Sequence, residues 1–254
     1  MLNQAMSSAP LWLVAIPFFL ALALMAQFGR WARGRVDRGS DDSDTDGSLL
    51  SASLALLGLL IAFTFSLAVS RYDTRRAMIV AEGNAIGTAW LRATLAPGPE
   101  GAALRDALKG YADLRLRVPA STDLPALNAA TSRSQEQLWR RLQGAIGGMQ
   151  PPIAATLVTA TTEMFDAASS RKAEGEARIP GRVLRMVSLF ALLCAGIVGY
   201  VLGRDVVRRH LVVTAILFLL LTMAMTLILD LDRPWSGGVV LSQQPIIDAR
   251  AAME

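Results

Sequence analysis

The amino-acid sequence predicts an all-α, polytopic membrane protein with four transmembrane helices and a helical insertion between the second and the third. Of its 254 residues, 53% are hydrophobic and only 18% are charged, whereas soluble domains average about 45–50% and about 25%. The excess of apolar residues is concentrated in four runs, which is typical of membrane spans rather than of one large core. Nothing in the sequence alternates between apolar and polar residues with a period of two, so we expect no β-sheet.

Each of the four apolar runs approaches the roughly 20 residues that a helix needs to cross a bilayer. None of them contains Asp, Glu, Lys, Arg or His, and they lie at about 11–28, 49–70, 186–203 and 211–229. We therefore expect residues 1–70 to carry the first two transmembrane helices and residues 184–229 to carry the other two.

The polar stretch between the second and third spans, residues 71–183, is predicted to be a helical extramembrane insertion. Residues 74–95 continue the helix of the second span, and three breaks that contain proline follow, at 96–101, 119–125 and 147–152. Proline disfavours a helical conformation in the residue before it, so each break separates two helices. The residues after the last span, 230–254, form a C-terminal tail.

Side chains that commonly carry enzyme chemistry are scarce in this sequence. It has one histidine, His210, and one cysteine, Cys194, which excludes a multi-histidine metal site and an internal disulfide within one chain. Without a nucleophile–base pair or a phosphate-binding loop, we expect no enzymatic activity, no metal and no cofactor. The arginines gather beside the apolar runs, where anionic lipid headgroups account for them better than nucleic acid does.

Two short motifs accompany the last two spans. Ala195, Gly199 and Gly203 stand four residues apart on the third span, and small residues at this spacing predict a close helix contact in lipid. Asp230 and Asp232 follow the fourth span beside Arg233. They indicate either a stop at the membrane edge or an ion contact near a pore mouth.

The second span carries a mixed stretch, IAFTFSLAVSRYDTRR at 61–76, in which an apolar run passes through small polar residues to Arg71. This stretch resembles the second transmembrane helix of the bestrophin family. The wider chain resembles the bacterial bestrophin-like membrane proteins, through FTFSLAVSRYDTRR, EGNAIGTAWLRATL at 82–95, YADLRLR at 111–117 and DLDRPWSGG at 230–238.

The resemblance implies a pentameric anion channel whose second span lines the pore and whose insertion is cytoplasmic. Residues three or four apart share one stripe of a helix, and the second span has such a stripe in Leu56, Leu59, Phe63, Ser66 and Ser70. Carried over, Leu59 and Phe63 take positions in an apolar neck. An apolar ring followed by hydroxyls suits a pore that gates by dewetting, and Arg71 at the inner mouth would raise the local anion concentration.

The expected partners are membrane lipid, chloride or other small anions, and further copies of the chain in the bacterial inner membrane. We expect the copies to pack through the second span and the small-residue face of the third, and we expect no nucleic acid. The alternative is a non-conducting integral membrane protein whose helical insertion binds a partner or acts as a scaffold.

Overall fold

The computed structural model describes residues 10–36, 43–118, 123–203, 208–233 and 238–254. Within these ranges the chain forms helices and no strand, which confirms the predicted all-α class. The helices are α1 (Trp12–Val36), α2 (Ser43–Ala93), α3 (Gly98–Leu116), α4 (Leu124–Ile146), α5 (Pro151–Glu176), α6 (Gly181–Leu202), α7 (Arg208–Leu231) and α8 (Gln244–Ala251).

In the described ranges four segments are long and apolar enough to cross a membrane, and they lie in α1, in α2, in Pro151–Leu202, which contains α5 and α6, and in α7. The helices between α2 and α6 form the insertion. The prediction of four transmembrane helices with a helical insertion between the second and the third is therefore confirmed.

Helix α2 is much longer than a membrane span. Its 51 residues form one uninterrupted helix, which at 1.5 Å per residue is about 77 Å long. The hydrocarbon core of a bilayer is only about 30 Å thick, so α2 extends well beyond the membrane into the polar sequence that follows Arg71.

The predicted proline breaks coincide with the starts of α3, α4 and α5, each of which has proline in its first turn. Proline suits this position because the first helical N–H groups have no partner within the helix. At the start of α4 the carboxylate of Asp123 accepts a hydrogen bond of 3.0 Å from the Ala126 amide, which satisfies one of these N–H groups.

The chain divides into two compact units. The first, which we call the span unit, comprises Met1–Tyr72 and Arg178–Val239, and the second, the insertion unit, comprises Asp73–Ala177 and Val240–Glu254. In the span unit α1 packs against α6 and α7. Two apolar clusters hold it together, one around Leu22, Leu57 and Phe218 and one around Ala68, Val187 and Ile228.

In the insertion unit α3 packs against α4 and α8, and α4 packs against α5. The end of the chain lies closely against α2, because a Cβ atom added at Gly83 would stand 2.7 Å from the Pro245 carbonyl oxygen. Ile246 and Met253 are buried there. Residues after Val239 therefore belong structurally with the insertion helices.

Candidate functional site

The five residues predicted to form a stripe on the second span are all exposed in the single chain. Leu56, Leu59 and Phe63 are 47%, 51% and 65% exposed, and Ser66 and Ser70 are also exposed. Such a surface on a membrane helix is covered by lipid, by a second chain or by a water-filled path.

The opposite face of the same helix is buried in the span unit. Leu57, Thr64 and Ala68 are at most 4% exposed. The Thr64 hydroxyl donates a 2.8 Å hydrogen bond to the Leu60 carbonyl, so this buried polar group has a partner. The packing thus fixes the rotation of helix α2, and the stripe is part of the surface that the rest of the chain leaves uncovered, which also includes Phe65 and Leu67.

Phe63 also borders an open apolar groove between α2 and α6. The groove has a volume of about 510 Å³ and is lined from α2 by Leu60 and Leu67 and from α6 by Met186 and Phe190, among others. Phe63 thus stands at the edge between the stripe and the groove. A test of the stripe therefore needs a control residue in the groove.

Two arginines mark the polar end of this span. Arg71 is half-buried. Arg75 is 3% exposed and donates hydrogen bonds to the carbonyls of Glu174, at 3.2 Å, and Ala177, at 2.6 Å. These carbonyls lie at the C-terminal end of α5, where a cation satisfies them and complements the helix dipole.

Asp230 and Asp232, expected either to mark the membrane edge or to contact ions, are 6% and 8% exposed. The Asp230 carboxylate accepts hydrogen bonds from the amides of Gly238 (3.0 and 3.1 Å) and Val239 (3.2 Å). The Asp232 carboxylate accepts one from the Ile179 amide at 2.9 Å. Because backbone amides occupy both carboxylates, we assign them a structural role at the end of α7.

The small-residue motif of the third span lies at a helix crossing within the chain. A Cβ atom added at Gly199 would overlap the backbone carbonyl of Ala26 on α1, and Ala195 is buried beside it. Gly203 ends α6 with a φ angle of +66°, a conformation that favours glycine. This face therefore packs against α1 of the same chain.

Comparison with known proteins places the chain in a family. A model of the bestrophin-like domain matches residues 15–246. The chain belongs to the bestrophin-like family. The resemblance recognised in the second span is thereby confirmed, and the bestrophin-like chain is an integral membrane protein.

Solved structures agree with this assignment at the level of the fold. The crystal structure of a bacterial bestrophin homologue from Klebsiella pneumoniae matches with a TM-score of 0.71 and 12% identity, over 94% of the bestrophin-like chain and 96% of the homologue. A single-residue variant of that homologue matches with the same TM-score and identity over 96% and 99%. No curated protein matches in sequence.

Two segments that carried the resemblance meet in a buried charge cluster of the bestrophin-like insertion unit. Glu82 of α2 is fully buried, and Arg115 of α3 and Arg171 of α5 are each 4% exposed. Arg115 Nε donates to one carboxylate oxygen of Glu82, and Arg171 Nη1 donates to the other at 2.6 Å. Arg171 Nη2 also donates to Gln243 Oε1 at 2.7 Å. The cluster therefore ties α2, α3, α5 and the C-terminal segment together.

Tyr111 lies one turn before Arg115 on α3 and is fully buried. Burial raises the pKa of Tyr111 to about 12, because a phenolate would lose its hydration there. The neutral hydroxyl accepts a hydrogen bond from Gln135 Nε2 at 3.4 Å. Tyr111 therefore stays uncharged at physiological pH.

The sequence analysis did not single out this charge cluster, although the sequence contains a signal for it. Arg115 continues the buried stripe of Leu104, Leu108 and Tyr111, and Arg171 follows Ala168 at the same helical spacing. An arginine on a buried stripe requires a buried acceptor. Glu82 is the carboxylate that fits this requirement, because it stands alone among small and apolar neighbours in the sequence.

In the described parts of the chain no group of three or more His, Cys, Asp and Glu side chains is arranged to hold a metal ion. The residues with the strongest structural constraints are instead the charge cluster and the buried aspartates. The stripe on α2 differs from these residues because it is exposed in the single chain.

Proposed function

We propose that the chain assembles as a homo-oligomer, a pentamer, in the bacterial inner membrane and conducts chloride or other small anions. In this assembly α2 lines the pore. The observation that carries the proposal is the exposed stripe of α2, whose five residues are uncovered while the opposite face of the helix is buried. The resemblance to bestrophins and the shared fold support the proposal by analogy.

The stripe supplies the parts that an anion pore needs. Rings of Leu56, Leu59 and Phe63 form an apolar constriction that water leaves readily, so an ion must shed part of its hydration to pass. Ser66 follows with a hydroxyl group that can donate a hydrogen bond to an anion, and Ser70 is a second polar residue on the stripe. Arg71 adds a positive charge at the end of the stripe and concentrates anions there.

Replacement of Phe63 tests this arrangement. Phe63→Ala widens the constriction and lowers the dewetting barrier, so we expect a several-fold higher rate of chloride efflux from proteoliposomes. In the same assay Arg71→Glu should reduce chloride flux and shift the selectivity toward cations. The measurement is the initial chloride flux at equal amounts of inserted, folded protein.

Phe65→Ala is the matched control for Phe63→Ala. Phe65 lies on the same span and is 38% exposed, but it is on neither the stripe nor the groove. Its replacement should leave chloride flux unchanged. Background flux in the wild type and in Phe63→Ala, with both proteins folded and inserted, contradicts the channel proposal and favours the non-conducting alternative.

A further inference from the structure

A small polar cavity of about 110 Å³ lies between α3, α4 and α5 of the insertion unit. Arg115 reaches it from α3, Asn128 and Ser132 from α4, and Lys172 from α5, and neither aspartate nor glutamate lines it. We propose that this cavity is a binding site for a phosphate-type oxyanion, either inorganic phosphate or the phosphoryl group of a small phosphomonoester. This site is separate from the stripe on α2 and does not depend on the channel proposal.

The strongest element of the site is the guanidinium of Arg115. Its Nε donates a hydrogen bond to the Glu82 carboxylate, which also accepts one from Arg171. The two Nη groups of Arg115 make no hydrogen bond to the described parts of the chain. Arg115 is 4% exposed and lines the polar cavity, and a guanidinium in such a place is a strong donor for an anion bound there.

The other donors can be assigned by elimination. The hydroxyls of Thr131 and Ser169 donate to the carbonyls of Leu127 and Phe165, each at 3.0 Å, and the Gln135 amide donates to Tyr111. Among the described residues the donors that remain at the cavity are the Asn128 amide, the second N–H of the Gln135 amide, the Ser132 hydroxyl, the Lys172 ammonium and the Arg115 Nη groups. These donors come from three helices, and those of Arg115 and Lys172 are cationic. They therefore surround one cavity.

The size and the donor pattern select the class of ligand. The cavity volume of about 110 Å³ is several times the roughly 10–15 Å³ that one water needs, which is enough for a tetrahedral oxyanion. Charge-assisted hydrogen bonds from a guanidinium fork and an ammonium suit an anion with several acceptor oxygens. Because Lys172 is exposed, the remainder of a phosphomonoester can extend past it into solvent.

Isothermal titration calorimetry on the full-length protein in detergent tests the site. Inorganic phosphate is titrated at constant ionic strength, and glycerol 3-phosphate is titrated in a second series. Lys172→Gln removes one charged hydrogen bond, so we expect the phosphate dissociation constant to rise about tenfold or more. Ser132→Ala should weaken binding less, and it provides a second variant in which the net charge is unchanged.

Arg133→Gln is the matched control. It removes the same single positive charge next to Ser132, but its side chain donates to the Ala129 carbonyl at 3.4 Å and does not line the cavity. The phosphate dissociation constant of Arg133→Gln should stay within about twofold of that of the wild type. Tighter binding of glycerol 3-phosphate than of phosphate identifies a phosphomonoester as the ligand, and the reverse order identifies free phosphate.

Three results would overturn the proposal. The first is that the folded wild type binds neither phosphate nor glycerol 3-phosphate at millimolar concentration. The second is an equal loss of affinity in Lys172→Gln and Arg133→Gln, which indicates a general charge effect. The third is competition by chloride with the same affinity as phosphate, which indicates a non-selective counter-ion site.

Discussion

The Glu82→Gln variant is expected to lose about 3–5 kcal/mol of folding stability, because it leaves two buried guanidinium groups without their shared carboxylate. Glu82 is fully buried, and its two carboxylate oxygens accept from Arg115 and Arg171. A glutamine has nearly the same shape as a glutamate but no charge. The loss of folding stability therefore reports the electrostatic role of Glu82 rather than the effect of a cavity. In a chain of this size the thermal unfolding midpoint should fall by on the order of 10 °C. Circular dichroism of the protein in detergent measures it.

Asp113→Asn provides the control for this substitution. Asp113 also carries an ion pair between α3 and another part of the insertion unit, since Arg250 Nε lies 2.8 Å from its carboxylate. That pair is largely exposed, however, and exposed pairs contribute only about 0–1 kcal/mol. Similar midpoints for the two variants would show that the buried cluster does not hold the insertion unit together.

A second large effect is expected at the crossing of α1 and α6. In the Gly199→Ala variant the new methyl group would overlap the Ala26 carbonyl, and neither backbone can yield without separating the helices. We expect a loss of about 3 kcal/mol or more, at the upper end of the cost of overpacking. The yield of monodisperse protein and its unfolding midpoint in detergent report this loss.

The same change three residues earlier should have little effect. A Cβ atom at Gly196 would meet the Met25 side chain at 3.7 Å, which is an ordinary contact. Gly196→Ala should therefore be neutral or slightly stabilising, since alanine favours a helix by up to about 1 kcal/mol over glycine. Equal stability of the two alanine variants would show that the helices are not in close contact at Gly199.

The spans and the helix breaks could be predicted because they depend on local properties of the sequence. Apolar length identifies a bilayer crossing, and proline fixes the starts of α3, α4 and α5. Local spacing also places Leu59 and Phe63 on one side of α2 and Leu57 and Thr64 on another. These features require no knowledge of which helices pack together.

The partners of the charged and small residues could not be predicted in the same way. Glu82 and Arg171 are 89 residues apart, and only the packing of α2 against α5 brings them together. Spacing identified Gly199 as a contact residue, but it did not identify Ala26 of the same chain as its neighbour. The sequence likewise left two roles open for Asp230, and its hydrogen bonds to the amides of Gly238 and Val239 now favour the structural one.

The central claim is that the stripe on α2, and not the groove beside it, lines an anion path. Thiol modification of cysteine variants tests this claim most directly. Ser66→Cys places a thiol on the stripe, and Leu67→Cys places one in the groove between α2 and α6. The native Cys194 is only 1% exposed, so the wild type serves as the unreactive background.

Chloride flux is measured in proteoliposomes before and after treatment with a negatively charged methanethiosulfonate reagent, and the extent of modification is determined by mass spectrometry. We predict that complete modification of Ser66→Cys abolishes most of the flux, because a bulky anion then occupies the path, while modification of Leu67→Cys leaves it unchanged. Unchanged flux after complete modification of Ser66→Cys would contradict the assignment of α2 as the pore-lining helix.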